Sequence, residues 1–267
     1  MLYTIFLTLF TLTHANNWEK FYDFIQKFRP LYHSKEIFEK RFDIFSENMM
    51  FIEKINNLQS NYTLGITKFA DMTEKEFSEY HLKDFSISRT CSLYKPTGDN
   101  IPKSIDWREH NKVSSVKDQG QCGSCWSFSA SGAMEGAWAI AKDNLISLSE
   151  QQLVDCSSTF EYGNHGCNGG LMDGAFNYAI HEGMCSEEEY PYHAKQGECM
   201  NCDIVASFEN CNDVPPNDQV SLAEAVSKGP VSVAIEADTR TFQLYTSGVI
   251  TSDACGTNLD HGVLVVG

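Results

Sequence analysis

Basic residues are scarce in this chain. Its 267 residues include 20 Lys and Arg against 36 Asp and Glu, which gives a formal net charge of −16 at pH 7. Proteins that bind nucleic acid depend on Lys and Arg to neutralise phosphates. The composition therefore argues against a nucleic-acid-binding protein.

Long hydrophobic runs, internal repeats and low-complexity tracts are missing as well. A membrane-spanning helix needs ~18 or more consecutive apolar residues, and no stretch after residue 15 reaches that length, so we expect no transmembrane helix. Hydrophobic residues still make up 42 % and aromatic residues 12 % of the chain. This is enough for a packed core and excludes a disordered or fibrous protein.

The first fifteen residues have the features of a targeting segment. Residues 2–12 form a short apolar run, and the small residue Ala15 follows it. The pattern predicts a signal peptide over residues 1–15, with a buried N-terminal strand as the alternative. The secretory route is oxidising and would let the ten cysteines pair. We therefore expect delivery to a lysosome or vacuole, or to the extracellular space.

Two blocks of different charge follow this segment. Residues 16–100 hold 12 basic and 13 acidic residues, whereas residues 101–267 hold 8 and 23. In the first block, apolar residues at three- and four-residue spacing predict a long amphipathic helix over residues 36–57 and a shorter one over residues 18–28. Residues 84–102 are rich in Ser, Thr, Gly, Asp and Pro, which predicts a linker that is open to cleavage.

The second block opens with a Gly- and Cys-rich loop over residues 118–124. A helical pattern follows over residues 125–142, so we expect Cys125 at a helix N-terminus. The unpaired amides and the dipole at such an end favour an anion. The helix should therefore lower the pKa of the Cys125 thiol.

The rest of this block changes its periodicity along the chain. Helices are predicted at residues 149–155, 171–180 and 221–227. Residues 231–236 alternate with a period of two, and residues 261–266 are typical of a buried strand. Helices before strands predict an α+β fold.

The pair Cys122 and Cys125 allows three chemical interpretations. A C-x-x-C redox pair would need a βαβ context that the surrounding pattern lacks. A zinc site with Cys199 and Cys202 would join ligand pairs more than seventy residues apart in an oxidising route. We favour the third, a nucleophilic Cys125 whose base is His261, 136 residues downstream. No metal and no other cofactor is expected.

The residues around Cys125 and His261 resemble the papain family of cysteine proteases. The motifs that carry this resemblance are QGQCGSCWSF at 119–128, LSEQQLVDC at 148–156, GCNGG at 166–170, YPY at 190–192, GPV at 229–231 and DHG at 260–262. The resemblance covers residues 17–267 and implies a two-lobed α+β fold, with a helical lobe and a β-barrel-like lobe, after a helical prosegment.

Within that family the chain is most similar to the cathepsin L branch. The proregion motif of that branch is matched on the long helix by Arg41, Phe45, Asn48, Ile52 and Asn56. Ile37 stands where the motif has Glu, and Thr67 stands where it has Asn. These departures bear on how the prosegment docks.

The resemblance implies catalytic roles for three residues. Cys125 would attack the peptide carbonyl as a thiolate paired with protonated His261, which then donates its proton to the leaving amine. Gln119 would donate a side-chain N–H to the developing oxyanion, beside the backbone N–H of Cys125. A disulfide-bonded Cys125, a core His261 and a solvated Gln119 are the structural alternatives.

Six further residues would surround the substrate. Gly169 and Gly170 would let the backbone approach an extended peptide, unless they only form a tight turn. The pocket for the side chain two residues before the cut would be lined by Leu171, Met172, Ala234 and Leu259. These are all apolar, so Leu, Phe or Val should be accepted and Arg disfavoured, although each could instead be a core residue.

The family orients its imidazole with an Asn in a later Asn-Ser-Trp segment, and no residue up to Gly267 matches it. We therefore expect a C-terminal continuation. Asp260 is a poor substitute, because neighbouring strand residues point to opposite faces.

The resemblance also implies disulfides. It pairs Cys122 with Cys167 and Cys156 with Cys199, and it pairs Cys255 with a cysteine beyond the chain. Cys185, Cys202 and Cys211 are extra, and one bridge among them would leave one thiol over.

The function implied is that of a cysteine endopeptidase made as an inactive precursor. Its parts would be a signal peptide over 1–15, an inhibitory prosegment over 16–100 and a peptidase domain over 101–267. Protein or peptide substrates and its own prosegment are the expected partners of a monomer, and acid should loosen the prosegment by protonating carboxylates. The alternative is a catalytically inactive papain-like binding or inhibitor protein.

Overall fold

The structure is a computed structural model that describes residues 16–29, 32–59, 61–81, 90–251 and 255–267. The predicted signal peptide, residues 1–15, lies outside the described residues. No helix within those ranges is long and apolar enough to cross a membrane. The chain divides into two compact units. The first contains Met1–Glu79 and Ala237–Gly256, and the second contains Tyr80–Glu236 and Thr257–Gly267.

The first unit is built around an aromatic core. Helix α1 covers residues 16–28, and α2 covers Lys35–Leu58, close to the predicted ranges. The α2 helix begins where the Ser34 hydroxyl accepts a hydrogen bond from the Ile37 N–H (3.2 Å). The apolar faces of the two helices meet through rings that are almost fully buried, namely Phe21, Phe24, Phe42 and Phe45.

This unit also pairs strands from distant parts of the chain. Strand β1 (Tyr62–Leu64) runs antiparallel to β5 (Tyr245–Gly248), and helices α3 (Glu74–His81) and α8 (Arg240–Gln243) flank them in sequence. The Gln243 amide donates to the carbonyl oxygens of Phe69 (2.9 Å) and Met72 (2.8 Å). Thr67, one of the two departures from the proregion motif, donates its hydroxyl to the Gln243 carbonyl (2.8 Å). Thr67 therefore still makes a hydrogen bond to the segment that carries Gln243, although the proregion motif has Asn at this position.

The second unit has four helices and four strands among its described residues. The helices are α4 (Cys125–Lys142), α5 (Glu150–Cys156), α6 (Met172–Glu182) and α7 (Gln219–Lys228). The strands are β2 (Ser92–Leu93), β3 (Asn212–Asp213), β4 (Val231–Ile235) and β6 (His261–Val265). Its core lies around α4, where Trp126, Ala130 and Met134 are buried. This is the predicted α+β arrangement.

Strands β4 and β6 run antiparallel, with Ile235 opposite His261. Helix α4 packs against them, since the Ser129 hydroxyl donates to the Val263 carbonyl and the Ser232 hydroxyl donates to the Ser129 carbonyl, both at 2.7 Å. The strand predicted at 261–266 is present as β6, but it is less buried than expected, because Gly262 is its one buried residue and the others are half-buried.

The predicted linker has more structure than its composition indicates. Residues 82–89 lie outside the described residues, but β2 pairs in parallel with β3 through hydrogen bonds from the Ser92 N–H to the Cys211 carbonyl (3.1 Å) and from the Tyr94 N–H to the Asp213 carbonyl (2.8 Å). This segment therefore belongs to the packed body of the second unit.

Four disulfides lie within the described residues. They are Cys91–Cys211, Cys122–Cys167, Cys156–Cys199 and Cys185–Cys202. Two are the pairs that the family resemblance implies. The expectation that one thiol is left over among Cys185, Cys202 and Cys211 is wrong, because Cys91 pairs with Cys211.

A buried ion-pair cluster joins α4 to α5. The Lys117 ammonium lies 2.7 Å from a carboxylate oxygen of Glu135 and 2.6 Å from one of Glu150, and both carboxylates are buried. The Ser131 hydroxyl donates to Glu150. This cluster holds the first turns of α5 against the helix that begins at Cys125.

Candidate active site

The loop before α4 is fixed by a disulfide and by short hydrogen bonds. Cys122 is bonded to Cys167, and the Gly123 N–H donates to the Cys167 carbonyl oxygen (3.0 Å). Ser124 is the N-cap residue of α4, and the helix begins at Cys125. The prediction that Cys125 lies at a helix N-terminus is confirmed.

The disulfides decide between the three interpretations of the Cys122 and Cys125 pair. Cys122, Cys199 and Cys202 each bond another cysteine, whereas Cys125 is a free thiol. The redox-pair and zinc hypotheses are therefore wrong for this structure. Cys91, Asp173 and Asp213 have atoms close enough to hold a metal ion, but the Cys91 sulfur is engaged in its disulfide.

Burial dominates the protonation of the Cys125 thiol. Only 2 % of this residue is exposed, and the loss of hydration raises the pKa of the thiol above its ordinary value. Backbone N–H groups of Gly262, Trp126 and Cys125 oppose the shift by hydrogen bonding to the sulfur, while the charge of Asp260 adds to it. The expected lowering by the helix end is outweighed, so the prediction of a lowered pKa is wrong for this form of the chain.

His261 is uncharged for the same reason. It is the first residue of β6, and burial lowers the pKa of its imidazole to about 4. At neutral pH the thiol and the imidazole are both in their neutral forms. Since the thiolate is the nucleophile, this state of the pair is a resting state.

The residue that follows His261 is Gly262, and it lies where β6 packs against the first turn of α4. A Cβ on Gly262 would lie 3.3 Å from the Cys125 carbonyl oxygen and 3.2 Å from the Met172 sulfur. Only glycine lets the strand approach the first turn of α4 this closely without strain. Gly262 is thus a site residue that the sequence reasoning left without a role, although its place directly after His261 was a signal for it.

Gln119 lies in the same loop as Cys122. Its side-chain amide donates to the Cys122 carbonyl oxygen (2.9 Å), which fixes the amide beside the segment that leads to Cys125. A primary amide has two N–H groups, and an oxyanion needs one of them. Its placement is compatible with the predicted role.

Tyr192 joins the two segments that carry the candidate oxyanion donors. Its hydroxyl donates to the Gln119 carbonyl oxygen (2.8 Å) and lies 2.6 Å from the Ser124 hydroxyl. The Phe128 ring packs edge-on against it at 4.8 Å. The sequence reasoning gave Tyr192 no role beyond its motif, since nothing in the YPY pattern reveals these contacts.

The last two glycines of the GCNGG motif have structural reasons to be glycine. Gly169 is buried and has a φ of 105°, which side chains rarely adopt. A Cβ on Gly170 would lie 2.6 Å from Asn164 Oδ1 and 2.7 Å from the Trp126 ring. The tight-turn alternative therefore accounts for much of this requirement, and the substrate role remains a prediction.

A cavity of about 740 Å³ in the second unit contains three of the four predicted pocket residues, Met172, Ala234 and Leu259. Leu171 is not among its lining residues. It is the N-cap residue of α6, and its N–H donates to Asn164 Oδ1 (2.8 Å). The cavity also has charged lining residues, namely Asp173, Asp213, Asp218 and Lys228. The predicted pocket residues are apolar, and the charged residues belong to other parts of the cavity lining.

Comparison with known proteins decides the family. The model of the papain family of cysteine proteases matches residues 101–267, and that of the cathepsin propeptide inhibitor domain (I29) matches residues 21–77. The chain belongs to the papain family of cysteine proteases. The family match contains both Cys125 and His261, and the propeptide match contains α2.

Individual relatives agree with this assignment. A probable cysteine protease, RD21C of Arabidopsis thaliana, is 48 % identical over 242 residues, which is 86 % of this chain and 52 % of the relative. Cysteine protease XCP2 of the same plant is 40 % identical over 96 % of this chain and 74 % of its own length. The chain spans about half the length of the first curated relatives that it matches.

Solved structures give the same fold. The digestive procathepsin L 3 of the Tenebrio molitor larval midgut superposes with a TM-score of 0.85 and is 40 % identical, covering 94 % of this chain and 83 % of that one. The papain-like α+β fold with a prosegment is therefore the fold of this papain-family chain.

Proposed function

We propose that this chain is the precursor of a cysteine endopeptidase in which Cys125 is the nucleophile and His261 is the general base and acid. The observation that carries the proposal is the contact between α4 and β6. The free thiol lies at the first residue of the helix, and it accepts the N–H of the residue that follows His261.

In the working enzyme, a proton passes from the Cys125 thiol to the His261 imidazole. The thiolate then attacks the peptide carbonyl carbon, and the carbonyl oxygen takes the negative charge of the tetrahedral intermediate. Protonated His261 donates its proton to the leaving amine, and the C–N bond breaks. A water molecule deprotonated by His261 then hydrolyses the thioester, which restores the thiol.

The negative charge of the intermediate needs preorganised donors. The Cys125 N–H and the Gln119 amide are proposed for this role. The Tyr192 hydroxyl contacts both Ser124 and Gln119, so it fixes the two segments that carry these donors relative to each other. The donors therefore do not have to reorganise during the reaction.

The cavity beside Met172, Ala234 and Leu259 is proposed to receive the side chain two residues before the cut. Its apolar part suits Leu, Phe or Val. Asp173 and Asp213 bring negative charge to the lining of the cavity. A basic substrate side chain should therefore be disfavoured less strongly than in a pocket lined by apolar residues alone.

The N-terminal block is proposed to act as an inhibitory prosegment over residues 16–100. Its strand β1 pairs with β5. The Gln243 carbonyl oxygen accepts a hydrogen bond from the Thr67 hydroxyl, and the Gln243 side-chain amide donates one to the Phe69 carbonyl oxygen. These are bonds between neutral groups, which do not titrate between pH 4 and 7.

One ion pair within this block also resists acid. Burial alone would raise the pKa of Glu76, but the Thr73 N–H and the Arg41 guanidinium lower it to about 2. Glu76 therefore stays ionised at pH 4. Acid loosening of the prosegment therefore has to use other groups than this carboxylate.

Labelling tests the proposal directly. A peptidyl epoxide that alkylates cysteine protease nucleophiles should modify Cys125 in the processed full-length protein, as mapped by mass spectrometry. Cys255 is the other free thiol among the described residues and is exposed. In the full-length protein we expect it to bond a cysteine beyond Gly267, so it should stay unlabelled. Cys125→Ser should abolish both labelling and peptide hydrolysis, whereas Cys255→Ser should retain both.

Gln119→Ala adds a quantitative check. The loss of an oxyanion donor should lower kcat by about 10²–10³-fold with a small change in KM. Labelling mainly at Cys255, or turnover by Cys125→Ser, would favour the inactive binding or inhibitor protein.

We also propose passage through the secretory route to a lysosome or vacuole, or to the extracellular space. Four disulfides within the described residues support an oxidising compartment. Microscopy of the tagged protein with and without residues 1–15 tests it, and a cytosolic location for both would contradict it.

A further inference from the structure

The bridge between Cys91 and Cys211 has no part in the proposed chemistry. Cys91 lies in the predicted prosegment, before the family match begins at residue 101, and Cys211 lies inside that match. The bridge spans 120 residues of sequence. It is thus a covalent link between the part of the chain that is to be removed and the part that is to remain.

Hydrogen bonds hold the residues after Cys91 on the same surface. Glu224 accepts from the Tyr94 hydroxyl (2.9 Å), the Thr97 N–H (2.8 Å) and the Gly98 N–H (3.2 Å). Lys228 lies 3.2 Å from the Asp99 carboxylate. These contacts end at residue 99, and Asn100 and residues 102–104 are exposed. A cut after Asn100 would therefore leave the strap, residues 90–99, bound and bridged.

Both cysteines of this bridge are half-buried. Of the four disulfides within the described ranges, it alone has neither cysteine buried, whereas Cys122, Cys156 and Cys185 are each buried. Thiol–disulfide exchange requires the attacking thiolate to reach a sulfur. A thiol reductant can therefore attack either sulfur of Cys91–Cys211, whereas each of the other three bridges offers one cysteine that is not buried.

We propose that Cys91–Cys211 is a reductant-cleavable tether that keeps the prosegment attached after the chain is cut near Asn100, so that release needs both proteolysis and reduction. The inference rests on the proposed zymogen function. A thiolate of the reductant attacks one sulfur, and the S–S bond breaks. The other cysteine leaves as a thiolate and takes a proton. A second thiol resolves the mixed disulfide, so two reductant thiols become one disulfide while Cys91 and Cys211 become thiols.

Until that reduction, the cut prosegment keeps a high effective concentration. A fragment on a short tether rebinds as an intramolecular partner, with an effective concentration in the ~mM range. Tyr94 and Cys211 also line the cavity that contains Met172. The strap thus stays at the proposed specificity pocket after the cut.

The test uses the full-length Cys125→Ser protein, which does not process itself, with a site-specific protease sequence inserted between Asn100 and Ile101. After cutting, denaturing electrophoresis without reductant should show a single species of the uncut size. Dithiothreitol should split it into two fragments. Alkylation at increasing dithiothreitol concentrations, mapped by mass spectrometry, should label Cys91 and Cys211 at the concentration at which the fragments separate.

Two double variants complete the design. Cys91→Ser/Cys211→Ser should separate into two fragments without reductant. Cys185→Ser/Cys202→Ser removes a bridge inside the peptidase block and should stay as one species. Separation of the two fragments without reductant while Cys91 and Cys211 are both present, or separation by dithiothreitol without labelling of Cys91 and Cys211, would overturn the proposal. Because the protein carries Cys125→Ser, the outcome does not depend on catalysis, and a failure of the proposed activity would show only in the labelling experiment.

Discussion

Gly262→Ala probes the contact that holds the catalytic strand against the nucleophile. A methyl group at this position would lie 3.3 Å from the Cys125 carbonyl oxygen and 3.4 Å from its carbonyl carbon. The Met172 sulfur, 3.2 Å away, belongs to a flexible side chain that can move aside. The Cys125 backbone cannot, because it is in the first turn of α4.

The size of the effect follows from this geometry. Non-bonded heavy atoms prefer a separation of about 3.7 Å, so β6 has to retreat from α4 by about 0.4 Å. A misplacement of 1 Å at a catalytic centre can cost about 10²-fold in rate. On that scale kcat/KM should fall about sixfold, and overpacking should cost about 1–3 kcal/mol of unfolding free energy.

Gly132→Ala is the matched control. It adds a methyl group on the same helix, 2.8 Å from the end of the Leu264 side chain, which also lies on β6 but away from the thiol. Steady-state hydrolysis of a fluorogenic peptide, corrected for the active fraction by thiol titration, should show a loss for Gly262→Ala only. If Gly262→Ala folds and keeps kcat/KM within twofold, the strand contact does not set the position of His261.

Two further predictions concern residues that support the site. Tyr192→Phe removes the hydroxyl that links Ser124 to Gln119, so kcat should fall roughly two- to tenfold, the equivalent of about 0.5–1.5 kcal/mol for a lost hydrogen bond, with KM unchanged. An equal change in KM would assign Tyr192 to substrate binding. Burial raises the pKa of Glu150 to about 7 from 4.5, against the attraction of Lys117, so the folded state holds a proton that the unfolded state loses in this window. Stability should therefore fall as pH rises from 4.5 towards 7. Urea unfolding across that range should show the slope, and Glu150→Gln should reduce it, whereas an identical slope in both proteins would contradict the cause.

Local sequence patterns were sufficient for the longest helices, although they did not predict α3 and α8. The spacing of Phe38, Phe42 and Phe45 predicts α2 to within a residue at each end, and the pattern after Cys125 predicts α4 in full. Helices depend on contacts three and four residues apart, and such contacts are visible in a single sequence.

The strap escaped sequence analysis because its structure depends on distant partners. Residues 90–99 have the composition of a linker, yet Cys91 is bonded to Cys211 and Tyr94 donates to Glu224. Nothing in the local pattern identifies a partner 120 or 130 residues away. The same holds for Tyr192, whose role depends on two loop residues.

The family resemblance supplied the nucleophile, the imidazole and two disulfide pairs, and periodicity supplied the helix that begins at Cys125. Packing alone settled the rest. It placed Gly262 against the Cys125 backbone, left Leu171 outside the cavity and shifted the pKa of the thiol upward against the helix end. A thiol's pKa depends on how much water and how many charges surround it in three dimensions, and these are set by residues that the chain brings together from far apart in sequence.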